Sequence, residues 1–225
     1  MSMLAAPLEA LQMKDTVYNQ IAVSFVLMFS LHRGAAAVAP AWMRRQARQG
    51  VYFTYLPQIF AQVCIIALGS AIFSAVVSGR ESLEDWWLSG TPSNSNTGFF
   101  GFLGGVFMAD AVANFRGLSW PLICHHIYGT FMCCVAEVEP QYRGLGIALS
   151  TIFEVGSLLM NVADIWLPGH HLSKCVRVMH WTSIVPMIWV TTAALQFSPQ
   201  SVEAFLLLFS AFVGGLLRVV FNAHL

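Results

Sequence analysis

The chain has 225 residues, of which 57% are hydrophobic and 10% charged. An ordinary soluble domain is about 25% charged, so these side chains cannot cover a water-facing surface. A mean hydropathy of +0.66 excludes a water-soluble enzyme. Eleven Lys and Arg balance eleven Asp and Glu, which leaves no basic field to hold nucleic acid.

Seven apolar runs follow in order: 17–31, extending through alanines to 38, then 51–77, 98–115, 118–138, 145–167, 176–195 and 202–221. At about 20 residues per span, seven spans leave only short loops, and function must sit inside the bundle or on those loops. The fold class expected is all-α: a polytopic membrane protein of about seven helices. It forms one transmembrane domain over 17–225 behind a tail at 1–16. That tail contains acids and lacks a basic segment before a long apolar stretch, so the first span is expected to act as an uncleaved targeting signal.

The loops differ in chemistry. Residues 33–48 form the most basic one, with Arg44 and Arg45 adjacent. Residues 78–97 are the longest polar connection, and their Trp86–Trp87 pair reads as an interfacial anchor. Runs three and four are split only by Arg116 and Gly117, which predicts a tight helical hairpin. Lys14, Arg80 and Arg143 fall on one side, and the other eight basic residues on the opposite side. Basic loops stay in the cytosol, so the N-terminus is expected outside or in a lumen, and the C-terminus in the cytosol.

Ionisable groups within hydrocarbon cost about 2.5–3.5 kcal/mol each on insertion scales, so their positions carry information. Run three holds Asp110 and, four residues on, Asn114; run four holds the adjacent pair His125 and His126. Run five holds Glu154, Ser157, Asn161 and Asp164, which a helix places within about 80° of one another. Run six holds His180.

Taken singly, Asn114, Ser157, Asn161 and His180 also suit interhelical hydrogen bonding, and Asp164 suits an interface. Asp110, Glu154 and the His pair favour function. Imidazole moves protons near neutral pH, and a carboxylate orients it. Adjacent helical residues diverge by about 100°, so the two histidines cannot face one point, and no metal site is expected. The five cysteines show no CxxC spacing and read as small buried hydrophobes.

Asp110-Ala-Val-Ala-Asn114, Cys124-His125-His126 and Glu154-Val-Gly-Ser157-Leu-Leu-Met-Asn161 together resemble the TLC-domain family. That family is named for translocon-associated proteins, ceramide synthases and related lipid-homeostasis proteins. The likeness covers roughly residues 50–220. It implies a six-helix barrel around a lipid-accessible cavity, usually with one additional helix. By the same resemblance, His125 and His126 match the catalytic pair of ceramide synthases, and Asp110 matches their upstream aspartate. Those enzymes carry a denser acidic cluster where this chain has Glu154 alone, so the chain looks more like the small TLC-domain proteins.

Three readings follow. The first is an intramembrane lipid-homeostasis protein that binds a membrane lipid in its barrel. The second is an acyl-CoA-dependent lipid acyltransferase. There His125, His126, Asp110 and Glu154 are catalytic, Asn114, Ser157, Asn161 and His180 bind substrate, and acyl-CoA is a co-substrate rather than a permanent cofactor. The third is a chaperone or complex subunit, with the small-residue steps Gly101-x-x-Gly104 and Gly214–Gly215 supporting a homo- or hetero-oligomer. The resemblance implies the endoplasmic reticulum or another internal membrane.

Overall fold

The computed structural model describes residues 5–38, 44–46, 52–54, 56–80, 94–116, 118, 120–139, 141–166 and 172–222. Its helices are α1 (Ala5–Val38), α2 (Leu56–Ala75), α3 (Asn94–Ala113), α4 (Trp120–Val138), α5 (Arg143–Trp166), α6 (Leu172–Gln196) and α7 (Val202–Asn222). A π-helical turn, Val76–Arg80, extends α2. The seven apolar runs therefore appear as seven helices. Two boundaries differ from expectation: α1 begins inside the segment read as a tail, and the start of run two is not helical. There, β1 (Arg44–Gln46) and β2 (Tyr52–Thr54) pair antiparallel, Arg45 opposite Phe53. The β-branched and aromatic residues just before Leu56-Pro57 suit a strand, and proline is best tolerated in a helix at its first turn, where Pro57 sits. The Trp86–Trp87 pair lies outside the described residues.

Five of these helices are long and apolar enough to cross a membrane, over Thr16–Val38, Leu56–Ser78, Arg143–Ala163, Lys174–Gln196 and Val202–Val220. The apolar part of α3, Gly98–Ala113, is shorter. Burial is inverted relative to a soluble protein: Leu195 is 81% exposed and Val23 70%, whereas Asp110 and Arg143 are each 1% exposed. An apolar exterior around a charged interior is what hydrocarbon selects, and it marks the chain as membrane-embedded.

Helices adjoin their neighbours in a definite order. α1 lies along α3; α3 packs on α4 and α2; α2 packs on α5; α5, α6 and α7 pack consecutively; and α4 touches α7. Three apolar clusters hold these contacts. Ile65, Phe99, Leu103, Cys133 and Ile147 join α2 through α5. Tyr142, Leu145, Val190 and Leu208 join α5, α6 and α7. Met28, Ala61, Val106 and Ala109 seat α1.

Small residues set the closest approaches. Gly101 and Gly105 of α3 lie against Gln20 and Ser24 of α1, and Gly215 of α7 lies against Met187 and the Ser183 carbonyl of α6. Gly101, Gly104 and Gly215 are buried, so these three serve packing within the chain. Gly214 has nothing within 4 Å of where a Cβ would stand.

At one end of the bundle, the α4–α5 and α6–α7 connections are clasped together. Arg143 donates from Nε to the Ala136 carbonyl at 2.9 Å and from a terminal nitrogen to the Glu137 carbonyl at 2.6 Å. It thereby satisfies carbonyls that the end of α4 leaves open. Glu139 accepts from Ser201 Oγ at 2.5 Å, Gln141 Nε2 donates to the Ser198 carbonyl at 3.3 Å, and Tyr142 OH donates to the Phe197 carbonyl. Tyr142 adopts a left-handed backbone, φ 65°, which costs about 1–2 kcal/mol for a residue with a Cβ, so the clasp and the apolar packing of its ring must outweigh that.

In the sequence, Arg143 counts as a loop charge between runs four and five. Its burial, with that of the Arg218 Nε and terminal nitrogen, removes one basic residue from each side and leaves the bias at seven to two. Replacing Arg143 by Met strands two carbonyls and the nearby Glu137 and Glu139. The expected result is a loss of about 3 kcal/mol, read as a lowered unfolding midpoint in lipid nanodiscs.

Candidate functional site

The helices alternate in direction, so the ends of α1, α3, α5 and α7 meet the starts of α2, α4 and α6. Helical rise puts His32, Gln62, Asp110, His126, Glu154 and Asn161 about 5 to 18 Å from those ends, away from the clasp, where Glu137 and Arg143 are buried.

Asp110 sits at the centre of this group. It projects from the last turn of α3 and is 1% exposed. Its Oδ2 stands 2.9 Å from His126 Nε2 of α4, and its Oδ1 3.8 Å from His32 Nε2 of α1. Asn114, one turn beyond Asp110, donates from Nδ2 to Asp110 Oδ1 at 2.5 Å and lies 3.4 Å from His32 Nδ1. The i, i+4 spacing of Asp110 and Asn114 thus does what the sequence predicts: both reach one point. Asn114 also caps the turn into α4, its carbonyl accepting from the Leu118 amide at 3.0 Å.

His125 diverges from its neighbour, as adjacent helical residues must. The two rings stand 5.5 Å apart edge to face, with Phe107 of α3 packed 5.7 Å from one and 5.5 Å from the other. His126 is buried, and His125 is in the more open position.

A second polar group lies across the bundle on α2, α5 and α7. Gln62 joins two of these helices: its Oε1 accepts from Asn161 Nδ2 at 3.0 Å. Glu154 interacts electrostatically with Arg218, His126 and Asp110. The Arg218 guanidinium stands 5.0 Å over the Phe153 ring, in cation–π range.

The structure thus brings together Asp110, Asn114 and His126, with His125 beside them, and joins Asn161 to Gln62 in the second group. It does not bring in Ser157, whose hydroxyl bonds back to the Phe153 carbonyl at 3.3 Å, an arrangement common for Ser inside helices. His180 does not join it either: its Nε2 is buried without a hydrogen-bond partner. The side chain of Asp164 lies outside the described residues. Among the described residues, no cluster of three or more His, Cys, Asp and Glu is placed to hold a metal ion.

Three participants were not singled out from sequence. His32 reads as the edge of run one, yet α1 continues six residues past it to Val38; the alanines that extend the run were the available signal. Gln62 is a lone uncharged polar residue in an apolar run and gives no signal by itself. Arg218 lies inside run seven, which continues to 221, but from sequence it enters only the count of basic residues. No protein-family model, curated protein or solved structure matches this chain.

Proposed function

We propose that this is an intramembrane lipid-homeostasis protein of the TLC type, binding a membrane lipid within a barrel of α2–α7. The observation that carries the reading is Asp110 held by His126 and Asn114 inside an otherwise apolar bundle. Such a buried charge is retained at a cost of about 2.5–3.5 kcal/mol when it serves a ligand or a reaction. The order of neighbours supports the barrel: α2, α5, α6, α7, α4 and α3 adjoin in a closed circuit, and α1 lies outside against α3. The seven-to-two bias of basic residues supports a luminal N-terminus and a cytosolic C-terminus, which puts the site in the cytosolic half of the bilayer. An internal membrane such as the endoplasmic reticulum rests on the resemblance alone.

The second reading is acyl transfer from acyl-CoA, favoured by the 2.9 Å Asp110–His126 contact. A carboxylate so placed fixes the imidazole and stabilises its charged form. The lipid hydroxyl or amine would lose its proton to His126 as its new bond to the acyl carbon forms. The carbon–sulfur bond would break, and the CoA thiolate would leave with that proton.

Untargeted lipidomics tests both readings in cells lacking the protein, rescued at matched expression by wild type or by Asp110→Leu/His126→Leu. The expected result is one lipid class shifted and restored by wild type alone. Equal rescue by the double variant would end both readings of this site, and no shift in any class would favour the interaction role.

A further inference from the structure

Although the chain is neutral overall, its charges divide sharply between the two ends of the bundle. At the end away from the clasp, Arg33 near the close of α1, Arg116 after α3, and Lys174 and Arg177 at the start of α6 are all exposed. Arg44 and Arg45 lie on β1 at the same end. Among the described residues, the acids of the opposite end are Glu9, Asp15, Glu137, Glu139 and Glu203, whereas this end has Asp164. Membrane orientation is set by Lys and Arg, and Asp and Glu contribute little to it. Insertion therefore accounts for the basic residues but not for the scarcity of acids beside them.

Nor does insertion account for their grouping. His32 Nδ1 of α1 lies 3.4 Å from Asn114 Nδ2 of α3, so these two helix ends adjoin where Arg33 and Arg116 stand. The hairpin follows α1 in the chain and β2 packs against that helix. Its partner strand β1, with Arg45 opposite Phe53, carries both of the hairpin's arginines. Arg33, Arg44, Arg45 and Arg116 thus come from three adjoining elements, and the sequence adds Arg48 to the same connection. The carboxylate nearest to them in these elements, Asp110, is 1% exposed and held by His126 and Asn114. Lysine would serve insertion equally, but the guanidinium fork matches paired phosphate oxygens. Arg33 stands five residues before the end of α1, from where a long side chain reaches the head-group level.

From this arrangement we infer that the corner formed by α1, the β-hairpin and the end of α3 is a docking surface for anionic phospholipid head groups of its own leaflet. Juxtamembrane clusters of about four to eight Lys and Arg attract such lipids. A phosphatidylcholine head carries its own cation and gains little there, whereas a phosphatidylserine head leaves a net negative charge for the arginines to neutralise. The surface lies outside the Asp110 site and does not depend on what that site binds.

The test uses the full chain in nanodiscs of equal phosphatidylcholine and phosphatidylserine, with a trace of a photoactivatable analogue of one or the other. At about 50 mM salt the serine analogue is expected to label the 30–60 segment ~10-fold more than the choline analogue. At about 500 mM salt the ratio should fall to within about twofold, because screening shortens the reach of exposed charges. Peptides from the acidic end should show no preference at either salt. Arg33→Gln/Arg44→Gln/Arg45→Gln should bring the low-salt ratio to within about twofold. Equal labelling by the two analogues at low salt would overturn the proposal, as would a preference that survives both high salt and the triple substitution. Coenzyme A at about 1 mM, matched in ionic strength with sodium chloride, separates lipid from soluble phosphate. If it alone abolishes the preference, the surface takes a soluble polyphosphate and the lipid assignment falls. The salt series needs only the wild-type protein, so a triple variant that fails to insert leaves the question decidable.

Discussion

His126→Leu is expected to destabilise the protein far more than Asp110→Leu, although the two residues form one pair. Removing His126 leaves the Asp110 charge in the bundle interior with the Asn114 amide as its only close hydrogen-bond donor. Uncovering one member of a buried pair costs about 3–5 kcal/mol. Removing Asp110 instead leaves two imidazoles that can stay neutral. It also lifts the insertion cost of about 2.5–3.5 kcal/mol, which offsets the lost contacts, each worth ~1 kcal/mol in membranes. Asp110→Leu should therefore fall within about 2 kcal/mol of wild-type stability, and the double variant close to it. Denaturant unfolding of the four proteins in one lipid composition reads the cycle. Additive losses, or Asp110→Leu as the worse variant, would mean that the two side chains do not interact as described. The cycle also explains why the double variant suits cellular rescue: it empties the site without leaving an unpaired charge.

Gly105→Leu is expected to dislodge α1. A Cβ at this position would overlap Ser24 Cβ and stand 2.8 Å from both the Ile21 carbonyl oxygen and the Phe25 amide nitrogen. Two of those atoms are backbone, so no rotamer change relieves the overlap and the helix itself must move. Overpacking of this kind costs about 1–3 kcal/mol for a small group and more for leucine. That exceeds the ~1 kcal/mol recovered by removing a helical glycine. Gly214→Ala is the control: with nothing nearby, it should gain up to about 1 kcal/mol. Thermal unfolding in nanodiscs compares them, and a Gly105→Leu midpoint equal to wild type would refute the close α1–α3 contact. Because His32 comes near Asp110 only through that contact, Gly105→Leu should also separate these two side chains.

What the sequence discloses and what it hides divides along physical lines. Apolar runs near 20 residues report helices directly, because a lipid-facing helix must be apolar along its length. The site is legible where helical periodicity alone fixes it, as with Asp110 and Asn114 on one face or His125 and His126 diverging. It is hidden where membership depends on which helices adjoin. Nothing in the linear order says that His32 of α1 meets Asp110 of α3, or that Gln62 of α2 joins Asn161 of α5. Arg143 and Arg218 mislead in a particular way: at helix ends, a buried guanidinium and an interfacial one look the same in sequence. The β1–β2 hairpin was missed because Tyr52, Phe53 and Thr54 extend a hydrophobic run whose period does not separate strand from helix over three residues.

The most direct test of the central claim is mass spectrometry of lipids retained by the purified protein, compared with the membrane it came from. The account predicts one lipid class enriched over bulk membrane in wild type, near one molecule per chain, and reduced to background in Asp110→Leu/His126→Leu. Retained lipids that mirror the bulk membrane in both proteins would contradict it, since the buried polar group would then select nothing.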